Sequence, residues 1–220
     1  MTEVEIFTKP GCGWAERNYA ALIEKGVAFR TVMSADPNGR KTTEFLSLSP
    51  YGRTPVLRFG HEVVWESAVM NEFIDDRFPS PPLRPSDPAG RARSRLWTLH
   101  CDSVLMPALN ALARAGGKAE AGAGDPTASN LALLASWWGK RPSGGSLWRG
   151  ERLSLVDIVF HTYFQALDVV EAMQGGAGKV LPPELLAWKA SIAAHSSIQA
   201  AGEIARKLDL GGAGLAEMEV

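Results

Sequence analysis

Cys12, one of two cysteines in this 220-residue chain, lies in the segment TKPGCGWAER (8–17). A strand pattern ends at Lys9-Pro10-Gly11 and a helix pattern follows, which places Cys12 at a helix N-terminus. Backbone N–H groups and the positive end of the helix dipole favour the thiolate there, and the thiolate is the nucleophile. A local dithiol motif would have a second cysteine where this chain has Ala15. The residues alone leave two interpretations open: a reactive lone thiol, or a cysteine packed as a small apolar residue.

Two later motifs contain residue types that suit the binding of a small, extended ligand. Arg53-Thr54-Pro55 precedes the strand pattern PVLRF. A cis Thr54-Pro55 bond would present the Thr54 backbone to a peptide-like ligand, although a trans bond at a strand entry is the more frequent case. Glu66-Ser67 stands where a strand pattern passes into a helix pattern, so Ser67 is predicted to be the helix N-cap. Glu66 beside it either holds a ligand ammonium group or has no role in ligand binding, if the motif is only an ordinary helix cap.

The elements that must position these motifs follow the order β-α-β-α-β-β-α within the first eighty residues. Alternation predicts a strand around Val4–Thr8, and helical spacing predicts a helix over 15–25 that ends at Gly26. Gly60-His61 predicts a hairpin between PVLRF and EVVWE. In the third predicted helix, one face comprises Val69, Phe73 and Ile74.

A proline-rich stretch, FPSPPLRPSDPAG, separates this region from a purely helical one. We therefore predict an N-terminal domain at 1–79, a linker at 80–88 and an all-helical domain at 89–220. The segment 116–126 is predicted to be a loop, and the glycine-rich tail is predicted to be frayed. Cys101 falls on the first helix of the second domain and is predicted to be a packing residue. The predicted helices of this domain cover 90–114, 127–140, 153–170, 182–195 and 196–208.

Composition limits the possible function classes. Apolar residues make up 45% and charged residues 21%, which is the balance of a globular protein with a sizeable core. A net charge of −1 gives no overall attraction to nucleic acid or to a membrane surface, so neither is expected as a partner. No signal peptide or membrane helix is predicted, and two cysteines are too few for a disulfide scaffold. The expected location is the cytoplasm, with both thiols reduced, and no metal site is predicted.

The motifs occur in the order found in the soluble glutathione transferase superfamily, which the whole chain resembles. CGWAER is similar to the C-P-[FW]-A-x-R stretch of its cysteine-type, omega-like members, although Gly13 replaces the usual proline. SPYGRTPVL resembles N-P-x-G-[KR]-V-P-x-L, with Ser49 where asparagine is common, and WESAVMNEFIDDRFP resembles the family's Glu-Ser helix. LSLVDIVF is similar to a family capping box in which Ser154 and Asp157 would cap a buried helix. The resemblance implies an α/β thioredoxin-like N-terminal domain and an all-α C-terminal domain.

The resemblance also implies a site. Cys12 would be the catalytic thiol, and glutathione would be the co-substrate. Thr54, before a cis Pro55, would pair its backbone with the cysteinyl part of glutathione, and Arg53 would face the glycine carboxylate. Glu66 and Ser67 would hold the γ-glutamyl end. A small electrophile would bind between the domains, where the candidates are Trp14, Trp97 and His100, and the protein would be a homodimer.

A lone catalytic cysteine predicts thiol transfer through a mixed disulfide with glutathione, which needs no second protein thiol. The expected reactions are deglutathionylation or a reduction of the dehydroascorbate type. Two alternatives stay open. Conjugation or isomerisation of a small electrophile would leave Cys12 a spectator. A regulator of the same fold, like the stringent-starvation proteins, would act through interactions without catalysis.

Overall fold

A four-stranded sheet forms the centre of the N-terminal unit in the computed structural model, which describes residues 3–116, 126–141, 144–173 and 181–210. Residues 117–125 of the predicted loop at 116–126 lie outside these ranges, as does the tail from 211 onward. The strands are β1 (Val4–Thr8), β2 (Phe29–Met33), β3 (Val56–Phe59) and β4 (Glu62–Trp65), in the spatial order β2-β1-β3-β4.

β1 is a central strand, and all five of its residues are buried. It pairs in parallel with β2, with Val4 opposite Phe29, and antiparallel with β3, with Phe7 opposite Val56. A parallel pair needs a crossover, and α1 (Gly13–Glu24) supplies it. The antiparallel pair β3–β4 is the predicted hairpin. The thioredoxin-like α/β prediction is therefore confirmed.

Two further helices complete the N-terminal region: α2 (Thr43–Leu48) and α3 (Ser67–Arg77). The predicted grouping of Val69, Phe73 and Ile74 on one face does not describe the packing of α3, because Val69 is 55% exposed. The buried face of α3 is partly polar, because Asn71 accepts from Asn18 on α1 and Asp75 pairs with Lys25 just after α1. Its members are Ser67, Met70, Asn71, Ile74 and Asp75.

The remaining elements are helical, as predicted. The helix expected at 90–114 consists of α4 (Pro88–His100), a π-helical turn (Cys101–Leu105) and α5 (Met106–Arg114). In the turn, the Met106 N–H donates to the Cys101 carbonyl five residues back, just before Pro107, which has no N–H to donate. Cys101 is fully buried, in agreement with a packing role. The other helices are α6 (Pro126–Trp138), α7 (Leu155–Met173), α8 (Pro183–Ala193) and α9 (Ser196–Asp209).

The chain divides into two compact units, and the last helix belongs to the first. One unit combines Met1–Pro82 with Ser196–Val220, and the other is Leu83–His195. The sequence pattern instead placed 196–220 in the helical domain. The difference arises because α9 packs against α1 and buries one apolar stripe, which consists of Ile198, Ala201, Ile204 and Leu208.

The capping box at the start of α7 has the predicted hydrogen bonds. The Asp157 carboxylate accepts from the Ser154 N–H at 2.9 Å, and the Asp157 N–H donates back to Ser154 Oγ at 3.4 Å. The other carboxylate oxygen of Asp157, Oδ1, accepts from the Trp148 N–H at 2.8 Å and from Trp188 Nε1 at 2.7 Å. Burial raises the pKa of Asp157, and these hydrogen bonds oppose that effect. Asp157 therefore joins three segments of the second unit through one carboxylate.

Glu5, on β1, carries the main ionic contact of the sheet. Its buried carboxylate accepts from Arg58 on β3, with Nη2 at 2.8 Å, and forms an ion pair with Arg30 on β2. The hydrogen bond from Arg58 is the main reason that the pKa of Glu5 lies below its usual 4.5. A lowered pKa means that the stabilisation is complete above about pH 4.5 and is lost as the pH falls through the folded-state pKa.

We predict that Glu5→Gln lowers the free energy of unfolding at pH 7 by about 1–3 kcal/mol, because two arginines lose their charged partner. Urea unfolding followed by circular dichroism between pH 7 and pH 3 would measure this. The difference from wild type should shrink as the pH falls below about 4.5 and through the lowered pKa of folded Glu5. The matched control is Glu62→Gln on the exposed face of β4, which should change stability little. A pH-independent difference for Glu5→Gln would contradict the prediction.

Candidate functional site

Sheet topology brings three of the sequence motifs to one edge. Phe7 near the end of β1 lies opposite Val56 at the start of β3, and Val56 lies opposite Trp65 at the end of β4. The loop after β1, the segment before β3 and the segment after β4 therefore leave the sheet at the same side. These segments contain Cys12, Thr54-Pro55 and Glu66-Ser67.

Cys12 is the N-cap residue of α1, and its side chain is half-buried. Its carbonyl accepts from the Ala15 N–H at 2.9 Å, whereas its side chain makes no capping hydrogen bond. The Cys12 Sγ lies 3.5 Å from Thr54 Oγ1, 42 positions along the chain. The thiol thus stands at a helix N-terminus beside the second motif.

The segment before β3 is held by a serine. Ser49 Oγ accepts from the Arg53 N–H and donates to the Arg53 carbonyl, both at 2.9 Å. The serine that replaces the family's asparagine therefore binds both backbone groups of Arg53. The Arg53 side chain is exposed, and the following Thr54-Pro55 bond is cis.

Glu66, and not Ser67, is the N-cap of α3, so the sequence-based prediction of a Ser67 cap was wrong. Glu66 has a φ of +67°, and no other described non-glycine residue has a positive φ. The left-handed conformation costs an ordinary residue about 1–2 kcal/mol. Ser67 then begins the helix and is buried, while the Glu66 side chain is exposed. Backbone strain of this kind is concentrated at functional sites.

Sequence reasoning missed two residues that hold this edge. Asn18 on α1 donates from Nδ2 to the Ser67 carbonyl at 2.9 Å. Asp209, at the end of α9, accepts from the N–H of Gly11, the residue before Cys12. A polar residue on the buried face of α1 was the available signal for Asn18. No local pattern indicated Asp209, because its partner lies 198 positions away.

The predicted electrophile-site residues fall in both units. Trp14 belongs to the first, where the Arg17 guanidinium lies 4.2 Å above its ring. Trp97 and His100 belong to the second, with ring centroids 5.5 Å apart, and both line a cavity of about 910 Å³. The His100 Nε2 is buried and has no hydrogen-bond partner among the described residues, and burial lowers the pKa of His100. Aromatic and cationic side chains, including Trp137, Arg93 and Arg141, complete the cavity wall.

Within the described ranges, no group of three or more His, Cys, Asp or Glu side chains is placed to hold a metal ion. None of the described helices has both the length and the apolar composition to span a membrane.

Comparison with known proteins identifies the family. A model of the glutathione S-transferase N-terminal domain matches residues 11–77, the range that contains Cys12, Thr54 and Glu66. "Probable glutathione S-transferase BZ2" of Zea mays is 30% identical over 192 residues, which cover 80% of each chain. The protein belongs to the glutathione S-transferase family.

Two further matches show how far this likeness extends. The solved tau class glutathione S-transferase of mango, Mangifera indica, superimposes with a TM-score of 0.77 at 23% identity, covering 94% of this chain and 96% of that one. This likeness confirms the fold, with its thioredoxin-like and helical domains. A stringent starvation protein A homolog of Pasteurella multocida is 39% identical over 88 residues, 40% of this chain. The match spans only 41% of that relative.

We predict that Asp209→Ala loosens the loop before Cys12, because the Gly11 N–H loses a charged acceptor. Hydrogen–deuterium exchange should be faster in a peptide covering residues 8–16, and the free energy of unfolding should fall by about 1–2 kcal/mol.

The control for Asp209→Ala is Glu203→Ala, which removes an exposed carboxylate from the same helix and should leave that peptide unchanged. Equal exchange in wild type and Asp209→Ala would refute the contact's role.

Proposed function

We propose that this protein is a cysteine-type, omega-like glutathione transferase that catalyses thiol transfer or reduction through a mixed disulfide at Cys12. The observation that carries the proposal is the position of the Cys12 thiol: half-buried at the α1 N-terminus, not engaged in capping, and 3.5 Å from Thr54 Oγ1. A half-buried thiol that makes no capping hydrogen bond is open to disulfide exchange, in which the thiolate is the attacking species.

The same edge of the sheet offers groups that complement glutathione, an extended peptide-like molecule with charge at both ends. The Thr54 backbone is proposed to pair with its cysteinyl residue, in the manner of an added strand. Arg53, whose backbone Ser49 fixes, is proposed to face the glycine carboxylate. Glu66 would attract the α-ammonium group by charge, and Ser67 would hold the γ-glutamyl carboxylate.

In the proposed cycle, the Cys12 thiolate attacks the glutathione sulfur of a glutathionylated substrate. The substrate's S–S bond breaks, and the substrate leaves as a thiolate that takes up a proton. A second glutathione, as its thiolate, then attacks the glutathione sulfur bound to Cys12. Oxidised glutathione leaves and the Cys12 thiolate is restored, so the net reaction exchanges the substrate–glutathione disulfide for the glutathione disulfide and consumes one glutathione thiol. This sequence needs no further protein cysteine, in keeping with Ala15 three residues on.

Trp97 and His100 are proposed to contact the second substrate, since both line the aromatic cavity of the second unit. Trp14 is proposed for the same role on the sequence resemblance. A homodimer and a cytoplasmic location likewise belong to the proposal.

Two alternatives have specific support. Conjugation or isomerisation of a small electrophile is favoured by the match to "Probable glutathione S-transferase BZ2", in which case Cys12 would be a spectator. A non-catalytic, regulatory role is favoured by the 39% identity to a stringent starvation protein A homolog. Retention on immobilised glutathione separates them: a conjugating enzyme would be retained but fail a thiol-transfer assay, and a regulator would fail both.

We predict that the reduced protein, incubated with oxidised glutathione, gains one glutathione by intact-mass spectrometry, and that reduced glutathione removes it. Cys12→Ser should gain none, because a hydroxyl does not exchange with a disulfide.

Cys101→Ala is the matched control and should behave as wild type, since Cys101 is fully buried. A folded wild type that is retained on glutathione but gains no adduct would refute the mixed-disulfide mechanism. An adduct that persists in Cys12→Ser would refute the choice of nucleophile.

A further inference from the structure

We infer that Asn18 is a positioning residue for the glutathione site, because its amide anchors the backbone where α3 begins. This inference rests on the proposed function, in which Glu66 and Ser67 hold the γ-glutamyl end. Asn18 binds the backbone of Ser67, through the carbonyl oxygen. It acts on the site through the Ser67 peptide group.

The anchor is a buried amide network between α1 and α3. Asn18 Nδ2 donates to the Ser67 carbonyl at 2.9 Å and to Asn71 Oδ1 at 2.7 Å. The accessible surface of Asn18 is 0%, that of Asn71 is 1% and that of Ser67 is 6%. One buried amide group, that of Asn18, thus binds the first and fifth residues of α3, Ser67 and Asn71.

Apolar packing does not account for this pair. Asn18 Oδ1 and Asn71 Nδ2 are buried and have no hydrogen-bond partner within the described part of the chain. Each such atom costs free energy, and two aliphatic side chains of similar size would fill the same space without that cost. The hydrogen bonds that Asn18 does make are directional, so the network specifies where the Ser67 carbonyl points.

The anchored peptide group follows the strained residue of the site. Glu66 has a φ of +67° and its carbonyl accepts from the Met70 N–H at 2.9 Å. A residue in this conformation persists only where its surroundings over-determine it. Asn18 supplies such a constraint one peptide group beyond Glu66, at the Ser67 carbonyl, which limits how the Glu66–Ser67 backbone can rearrange.

A second polar contact joins the same two helices at their other ends. Lys25 Nζ lies 2.5 Å from Asp75 Oδ1 and 2.5 Å from the Pro81 carbonyl, and both charged side chains are buried. This contact is two helical turns beyond Asn18 on α1 and one turn beyond Asn71 on α3. It stabilises the helix pair without touching the α3 N-terminus, so its removal provides a control for general loosening of the pair.

The test compares Asn18→Leu with Asn71→Leu and Asp75→Asn. Calorimetric titration would give the dissociation constant for glutathione, and a thiol-transfer assay would give KM and kcat. Asn18→Leu should weaken glutathione binding and raise KM roughly five- to tenfold, the equivalent of one directed hydrogen bond, with kcat within about twofold of wild type. Asn71→Leu should weaken binding less, because the Asn18–Ser67 bond stays, and Asp75→Asn should lower stability without a matching loss of affinity.

Hydrogen–deuterium exchange of a peptide covering 66–73 in the free protein gives a readout that does not depend on glutathione. Asn18→Leu should accelerate exchange there more than Asn71→Leu does. Unchanged exchange and affinity in a folded Asn18→Leu would overturn the inference, and so would equal losses of affinity in all three variants. Failure of the wild type to bind glutathione would overturn the proposed function, while faster exchange in Asn18→Leu would still support the anchoring role of Asn18.

Discussion

The pairing of β1 with strands on both sides is the constraint on which the candidate site depends. Because β3 runs antiparallel to β1 and β4 antiparallel to β3, the end of β1, the start of β3 and the end of β4 share one edge. The segment with Cys12 therefore reaches the same edge as Thr54-Pro55, 42 positions further along the chain, and as Glu66-Ser67. A slip of one residue would turn every β1 side chain to the opposite face and separate Glu5 from Arg30 and Arg58, so this register is costly to change.

The helix α1 is the common support of the candidate site. Its first turn begins at Cys12, and α3 and α9 both pack against it. Polar contacts then define the details that apolar packing leaves free: Asn18 holds the Ser67 carbonyl, and Asp209 holds the Gly11 N–H. Hydrophobic burial is non-directional, whereas a hydrogen bond fixes an angle as well as a distance. Directional contacts of this kind are what a binding site needs around its reactive groups.

The second unit likewise combines apolar packing with directional hydrogen bonds. An aromatic cluster around Trp148 and Trp188 is part of the buried core, and Asp157 joins Ser154, Trp148 and Trp188 through hydrogen bonds. Trp97 extends the cluster to the wall of the large cavity, where it lies against Trp148 and His100. The aromatic residues thus serve both as core and as the lining of a candidate ligand site.

The sequence by itself determined the element order, the position of Cys12 at a helix start, and the Ser154–Asp157 capping box, because each of these depends on residues within a few positions of one another. Features set by distant partners were decided only by tertiary structure. Ser67 has the residue type of a cap, yet Glu66 takes that place where the Asn18 amide, 49 positions away, holds the Ser67 carbonyl. The helix α9 carries an ordinary amphipathic pattern, which cannot say that α1 is its partner. Local sequence specifies which face of a helix is apolar, whereas the surface that covers that face is chosen by the packing of the whole unit.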